Sequence, residues 1–231
     1  LSDVFLDPRG HGDEYFSEKL LRLSHSHFCY TPFEEIFKST IERQPRGRTV
    51  FGCFNNSAKI SDEMLRLWLT LLRRVPDSSL LLKAWNPERL QKRALSLGYL
   101  PEEIEVRPMT LDYIHEYMDM DVALDTFPYT GGGTTCDALY MGVPVVTRFG
   151  RRRGTRFGLS LLKNIGLAEL AAADGRAYIE KAVALARDEL HRTLRARLAA
   201  SPVMQAARYM EEIERFYCLA VEQKKEAQGK G

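Results

Sequence analysis

From Thr49 onward, short apolar runs alternate with longer stretches in which apolar residues recur every three or four positions. Thr49-Val50-Phe51-Gly52-Cys53-Phe54 has the look of a buried strand. Ser61 can cap a helix that runs to Arg74, with Met64, Trp68, Leu71, Leu72 and Val75 on one face. Residues 80–84 form a second apolar run. Pro87 suits the first turn of a helix that stops at Gly98. The pattern continues with a strand at 104–106, a helix containing 113–118, a strand at 122–124, a short helix at 137–141 and a strand at 144–147. Strands and helices alternating through short connections predict an α/β fold, a doubly wound parallel sheet with right-handed crossovers.

The flanks differ. Residues 1–47 mix polar, aromatic and Pro positions, with one predicted helix at 15–23 and a loop signal at Gln44-Pro45-Arg46-Gly47-Arg48. That piece is too short to bury a core of its own. It is expected to be the remnant or linker of a preceding lobe, packed on the edge of the main domain or poorly ordered. The main domain is assigned to 48–222. Its C-terminal helices include one over 178–198, striped by Ile179, Val183, Ala186, Leu190 and Leu194, an interruption at Ser201-Pro202, and a last helix carrying Met210, Ile213 and Tyr217. Residues 223–231 read as a flexible tail.

Composition narrows the function classes. The formal net charge is +2, which gives no reason to expect nucleic acid or an acidic membrane as partner. No apolar run approaches the roughly 20 residues that span a bilayer. Leu1-Ser2-Asp3-Val4 lacks the basic and apolar regions of a signal peptide and has no initiator Met, which suggests a piece of something longer. Cys29, Cys53, Cys136 and Cys218 are scattered without CxxC spacing, so reduced thiols and a cytoplasmic location are expected. Neither these nor the histidines make a zinc pattern.

Two loops carry the chemistry. In the stretch from Asp125-Thr126-Phe127-Pro128-Tyr129-Thr130 to Gly131-Gly132-Gly133-Thr134-Thr135-Cys136-Asp137, three glycines at a strand-to-helix junction allow close backbone approach and positive φ. Thr134 and Thr135 place hydroxyls and N–H groups at a helix start, which favours phosphate. Asp137, one turn in, can accept from a ribose hydroxyl. A flexible turn with a cap is the plain alternative; placement at the carboxyl ends of parallel strands favours a ligand. Neither a Walker loop nor a dinucleotide fingerprint is present. The second loop, Phe54-Asn55-Asn56-Ser57-Ala58-Lys59-Ile60-Ser61, follows another strand and offers amides and a compact cation, against an Asx-rich turn with a solvated Lys.

These phrases, together with Gly133-Thr134-Thr135-Cys136-Asp137-Ala138-Leu139-Tyr140-Met141-Gly142-Val143-Pro144-Val145-Val146-Thr147, resemble the C-terminal catalytic lobe of the O-linked N-acetylglucosaminyltransferase and Spindly-type family. The likeness runs from about residue 3 to 221 and is nearest to bacterial members with tetratricopeptide repeats upstream. It implies a Rossmann-like C-terminal lobe of a GT-B glycosyltransferase. It further implies inverting transfer, without a metal or other cofactor, from a UDP-sugar donor to Ser or Thr of an acceptor protein. Carried over residue by residue, Lys59 stabilises the leaving nucleotide as the catalytic cation. Asn56 contacts the phosphate region, Thr134 the diphosphate, and Asp137 holds the ribose; Gly131, Gly132, Gly133 and Thr135, read from the loop itself, complete the candidate donor-binding set. His115 and Arg156 line the nucleotide pocket. The amino-terminal lobe, with the family's proposed acid/base histidine, would be a partner region of the same polypeptide; a non-catalytic nucleotide-sugar-binding module is the alternative. Gly132 stands where animal members carry a histidine, and Arg151-Arg152-Arg153 is more basic than in better-known members.

Other signals carry less. Asp119-Met120-Asp121 is formally a DxD but leads into a strand, so it reads as a solvated strand entry. The Arg151–Arg153 run reads as a solvated loop, with a donor-phosphate clamp second. Trp68 and Trp85 read as packing residues, Trp85 having the option of bordering the pocket. His25 and His27 fall outside any family motif.

Overall fold

The computed structural model describes residues 1–32, 47–186 and 190–228. Two short strands, β1 (Ser2–Asp3) and β2 (Arg22–Leu23), pair in parallel near the N-terminus. The main sheet is six-stranded and parallel: β3 (Thr49–Cys53), β4 (Ser78–Ala84), β5 (Ile104–Pro108), β6 (Val122–Leu124), β7 (Val145–Arg148) and β8 (Ala171–Ala172), in the order β5-β4-β3-β6-β7-β8. The chain winds outward from β3 to β5, returns, and winds the other way from β6 to β8. The topological switch therefore falls between β3 and β6, where an open α/β sheet binds ligands at its carboxyl edge.

The helices follow the apolar stripes. Helix α1 (Asp62–Arg74) is capped by Ser61, which accepts from the Met64 amide at 3.2 Å. Asp62 and Glu63 sit at its positive end, Arg73 and Arg74 at its negative end. Its inner face buries Met64, Leu65, Trp68, Leu71 and Leu72, each side chain contributing about 1.5–3 kcal/mol. Pro87 and the Asn86 cap start α2 (Pro87–Ser96), and Gly98 beyond its end takes φ +103, a conformation that favours glycine. Then come α3 (Gly133–Tyr140), α4 (Phe157–Asn164), α5 (Gly175–Leu185), α6 (His191–Ala200) and α7 (Ala206–Gln228). Helix α1 packs on β4 and α5, while α3 packs with α4 and α6.

Several expectations are corrected. Residues 15–23 do not form a helix: a 3-10 turn, Asp13–Tyr15, is followed by β2, because the Ser2 amide donates to the Leu21 carbonyl at 2.9 Å and the segment gains a partner strand. The helix placed at 113–118 is only a 3-10 segment, His115–Asp119. The stretch 178–198 divides into α5 and α6, with 187–189 outside the described residues. Strand β8 has no sequence signal, being two alanines. Helix α3 starts at Gly133, a turn earlier than its apolar residues suggest, and α7 runs through Lys224 and Lys225 where composition suggests a tail.

The N-terminal segment has no core and docks on the main domain. The buried Asp3 carboxylate accepts from the Phe5 amide (2.8 Å), the Leu6 amide (2.7 Å), the His27 amide (2.9 Å) and ring Nδ1 (2.5 Å), and the Ser160 hydroxyl on α4 (2.6 Å). Burial pushes its pKa up, but these bonds outweigh burial and hold it below the usual carboxylate range. Arg153 reaches Asp7 at 3.0 Å across the same interface. The link Arg46-Gly47 lies at the edge of the described residues, and 33–46 lie outside them.

Candidate functional site

Both chemistry-bearing loops leave the carboxyl ends of β3 and β6, the two strands at the switch point. Their meeting is built around Asp125, 2% exposed. One of its oxygens accepts from the Asn55 side-chain amide (2.9 Å), the Thr126 amide (2.8 Å) and the Gly131 amide (2.6 Å); the other accepts from the Thr147 hydroxyl (2.6 Å). Its carbonyl accepts from the Tyr178 hydroxyl at 2.9 Å, and Tyr178 in turn accepts from the buried Trp68 indole at 3.2 Å. Burial pushes the Asp125 pKa up, moderated by these donors.

Asn55, also buried, locks one loop to the other. It donates a second bond to Thr126 Oγ1 at 2.9 Å and accepts a short bond from Thr134 Oγ1 in the first turn of α3. A Cβ at Gly131 would stand 2.8 Å from the Asn55 oxygen and 2.7 Å from Thr135 Oγ1, so only glycine fits between them. At Gly132 a Cβ would meet the Phe28 ring at 2.4 Å. The space that a histidine side chain would need there is filled from the N-terminal segment. Gly133 faces open space. None of the three takes positive φ, contrary to expectation; their smallness serves close approach instead. Helix α3 has no side-chain cap, so the N–H groups of its first turn are not spent on one.

Lys59, half-buried, lies beside this loop. Its ammonium donates to the Thr130 carbonyl at 3.3 Å and sits 4.2 Å from the centre of the Tyr129 ring. Burial lowers its pKa, partly offset by the field of Asp125. Its neighbour Asn56 is exposed and spends its side-chain oxygen on the Ala58 amide at 3.0 Å, capping the 3-10 turn Ser57–Lys59 that orients the lysine. Thr134 and Thr135 stand at the start of α3 as expected.

The remaining candidates are placed differently. Asp137 is 4% exposed, and its two oxygens accept from the hydroxyls of Tyr30 and Tyr113, each at 2.8 Å. Burial raises its pKa and the two phenols lower it. His115 is exposed, 4.0 Å from the Asp112 carboxylate. Arg156 donates to the carbonyls of Phe5, Leu6 and Gly150 at 2.9–3.2 Å, so it clasps the N-terminal segment instead of facing the crevice. Trp68 is packed, but Trp85 is 78% exposed at the end of β4 and is not a packing residue. Sequence reasoning missed Asp125 as the hub, and missed Tyr30, 107 positions from its partner. A carboxylate directly following an apolar strand was the available signal for the first; no local signal exists for the second.

A cavity of about 20 Å³ lies beneath the loops, lined by Asn55, Asp125, Thr134 and Thr135 among others, room for about one water. Hollows of about 490 and 500 Å³ lie elsewhere, one beside the N-terminal segment and one at the amino ends of β3 and β4. Neither brings together the helix start, glycines and lysine, so the open carboxyl edge is the better candidate despite its small enclosed volume. Among the described residues there is no His, Cys, Asp or Glu group arranged to hold a metal, and no helix is long and apolar enough to cross a membrane.

Comparison with known proteins follows the same line. A family model described as "Glycosyl transferase family 41" matches residues 35–213. The chain is 37% identical over 233 residues to a probable UDP-N-acetylglucosamine–peptide N-acetylglucosaminyltransferase SPINDLY of Solanum lycopersicum, covering 94% of this chain and 25% of that protein. The corresponding SEC protein of Arabidopsis thaliana is 29% identical over 94% of this chain. Among solved structures, a mutant of the Thermobaculum terrenum O-GlcNAc transferase superposes with a TM-score of 0.81 at 35% identity, covering 94% of this chain and 43% of that one. Staphylococcus aureus TarM, at 13% identity and a TM-score of 0.58, shares the fold. The chain thus has the Rossmann-like architecture of a GT-B lobe and spans about a quarter of the length of the curated relatives it matches.

Proposed function

This chain belongs to glycosyl transferase family 41, and from that premise we propose that it is the donor-binding lobe of an inverting, metal-independent glycosyltransferase that moves N-acetylglucosamine from a UDP-sugar to Ser or Thr of a protein. The observation that carries the reading is the convergence at the switch point: Asn55 ties the β3 loop to Asp125 and Thr134, and Lys59 lies against Thr130 on the same loop.

In the reaction the acceptor oxygen attacks the anomeric carbon as the bond from that carbon to the β-phosphate oxygen breaks. The acceptor proton leaves to a base, which the proposal places in a lobe outside this chain. Negative charge grows on the departing diphosphate. Lys59 and the first-turn N–H groups of α3 meet that charge, held in place before it forms, so little reorganisation is needed in the transition state. Asp137 retains lone pairs for a ribose hydroxyl alongside its two phenols.

Titration of the purified chain with a panel of UDP- and GDP-sugars, followed by calorimetry, tests the reading. Selective binding of UDP-N-acetylglucosamine is expected, with no multiple-turnover transfer to peptide because half of the constellation cannot orient both substrates. Absence of binding by any nucleotide sugar up to about millimolar concentration, a free energy of only about −4 kcal/mol, would sink it.

A further inference from the structure

Lys83 stands at the carboxyl end of the second strand out from the switch point, and its side chain is 1% exposed. A lysine this deep in an apolar strand contributes little net stability, because the desolvation of both charges offsets the pairing. Its ammonium donates to Thr110 Oγ1 at 3.0 Å and makes a short ion pair with Glu116. Burial raises the Glu116 pKa, but Lys83, Arg107 and Thr110 together bring it below the usual range. Both partners of Lys83 lie in one segment, residues 109–121, which joins β5 to β6.

That segment has little structure of its own, only the 3-10 turn His115–Asp119, which is intrinsically weak. Ile114, Tyr117 and Met120 anchor it in the core, and polar contacts tie down the rest. Arg107 reaches Glu116 at 3.2 Å and Asp119 at 2.6 Å. Tyr117 donates to the Thr134 carbonyl at 3.1 Å, in the first turn of α3, and Tyr113 donates to Asp137. The outer side carries Leu111 and His115, both exposed. The segment is therefore a strap along the carboxyl edge, pinned from below by Lys83 and reaching the Gly-rich loop through two tyrosines.

We propose that Lys83 is a positioning residue for the nucleoside end of the donor: by holding Thr110 and Glu116 it fixes the strap that sets Tyr113 on Asp137. The proposal rests on the donor-lobe reading, since it takes the crevice beside the strap as the place of base and ribose. The diphosphate end touches the strap only through the Tyr117 bond to the Thr134 carbonyl; Lys59, held on Thr130 and Tyr129, makes no bond to it.

The test compares Lys83→Met with the native chain in two measurements. Amide hydrogen exchange without ligand is expected to speed up within 109–119 and stay unchanged in α1. Calorimetry with uridine, UDP and inorganic pyrophosphate is expected to show about a fivefold to tenfold weaker affinity for the first two and unchanged affinity for pyrophosphate. Should Lys83→Met fail to fold, Glu116→Gln, which keeps the shape and removes the ion pair from the strap side, carries the same expectations. Unchanged strap exchange overturns the pin. Faster exchange with unchanged uridine affinity, or equal loss for pyrophosphate, overturns the positioning role. A native chain that binds pyrophosphate but neither uridine nor UDP overturns the donor reading and the nucleoside role with it, and that outcome is distinct because exchange in the variant still rises.

Discussion

Lys59→Met removes a charge and leaves most of the side-chain stem, which makes it the sharpest test of the crevice. In the free chain the ammonium has a carbonyl at 3.3 Å and an aromatic face at 4.2 Å, and no carboxylate in contact among the described residues. It is half-buried, and burial lowers its pKa. A partly desolvated cation without a counter-ion adds little to the fold, so the stability of the variant is expected to stay within about 0.5 kcal/mol of the native chain. A diphosphate arriving at about 4 Å changes this. At an effective dielectric of about 20 the gross attraction is about 4 kcal/mol per unit charge. Part is offset by phosphate desolvation and by the ring contact, itself worth about 0.5–1 kcal/mol. A net charge-assisted contribution of about 1.5–3 kcal/mol remains, or about 10- to 100-fold in affinity. The N–H groups at the start of α3 add about 0.3–1 kcal/mol, too little to replace it. Calorimetry with UDP and with uridine should show UDP losing that factor and uridine losing none. Equal losses, or a fall in melting temperature matching the fall in affinity, would refute the argument and return Lys59 to a structural turn residue.

Other outcomes follow from the buried carboxylates and thiols. Asp125→Ala leaves the Thr126 and Gly131 amides and the Asn55 side chain without their acceptor, a loss of about 3–5 kcal/mol in denaturant unfolding, whereas Asp125→Asn keeps an acceptor for them and costs about 1–2 kcal/mol. The folded pKa of Asp125 is raised, so its contribution is full below the ordinary carboxylate range and is lost as pH rises through the raised value; the stability gap between the native chain and Asp125→Asn should narrow over that interval. Asp3 has the opposite sign: its folded pKa is depressed, so the N-terminal clasp holds above the ordinary carboxylate range and weakens as pH falls through the depressed value, with faster exchange at the Phe5, Leu6 and His27 amides that Asp3→Asn should show without any pH step. At neutral pH a thiol reagent should modify the exposed Cys218 first and leave Cys53, whose thiol burial pushes up to about 12, and Cys136 untouched until the chain unfolds.

How much of this is legible in the sequence depends on whether the cause is local. The central strands at 49–53, 80–84, 122–124 and 145–147 announce themselves, because a strand covered on both faces must be apolar nearly throughout, whereas the edge strand β5 shows only through Ile104 and Val106. Ser61 and Pro87 mark helix starts for equally local reasons, an orphan amide to cap and a fixed φ. Strand β8 is invisible, since Ala171 and Ala172 become a strand only because β7 offers an unpaired edge. The supposed helix at 15–23 fails for the same reason in reverse: β1, distant in sequence, supplies bonds that outbid local helical preference. The glycines of 131–133 stand out at a strand-to-helix junction, yet what two of them are small for is seen only where Asn55 and Phe28 stand against them.

The site shows the same division at the level of single side chains. Motif spacing marks Lys59, on the loop leaving β3, and Thr134, in the helix turn that follows the loop leaving β6. It is silent about Tyr30 and Lys83, because neither lies in a motif and each acts on a residue brought near by the winding of the sheet. Arg156 is the instructive case. A cation after a strand end at the correct edge has the sequence properties of a phosphate ligand, and the fold gives its guanidinium to the carbonyls of Phe5, Leu6 and Gly150. Those carbonyls belong partly to the segment that places Phe28 against Gly132 and Tyr30 on Asp137. Arg156→Ala should therefore weaken nucleoside binding indirectly, through loosening of residues 1–32, and leave pyrophosphate binding intact. Exchange at the Phe5 and Leu6 amides would rise in parallel. A selective loss of pyrophosphate affinity with unchanged exchange would restore Arg156 to the phosphate site and remove it from the clasp.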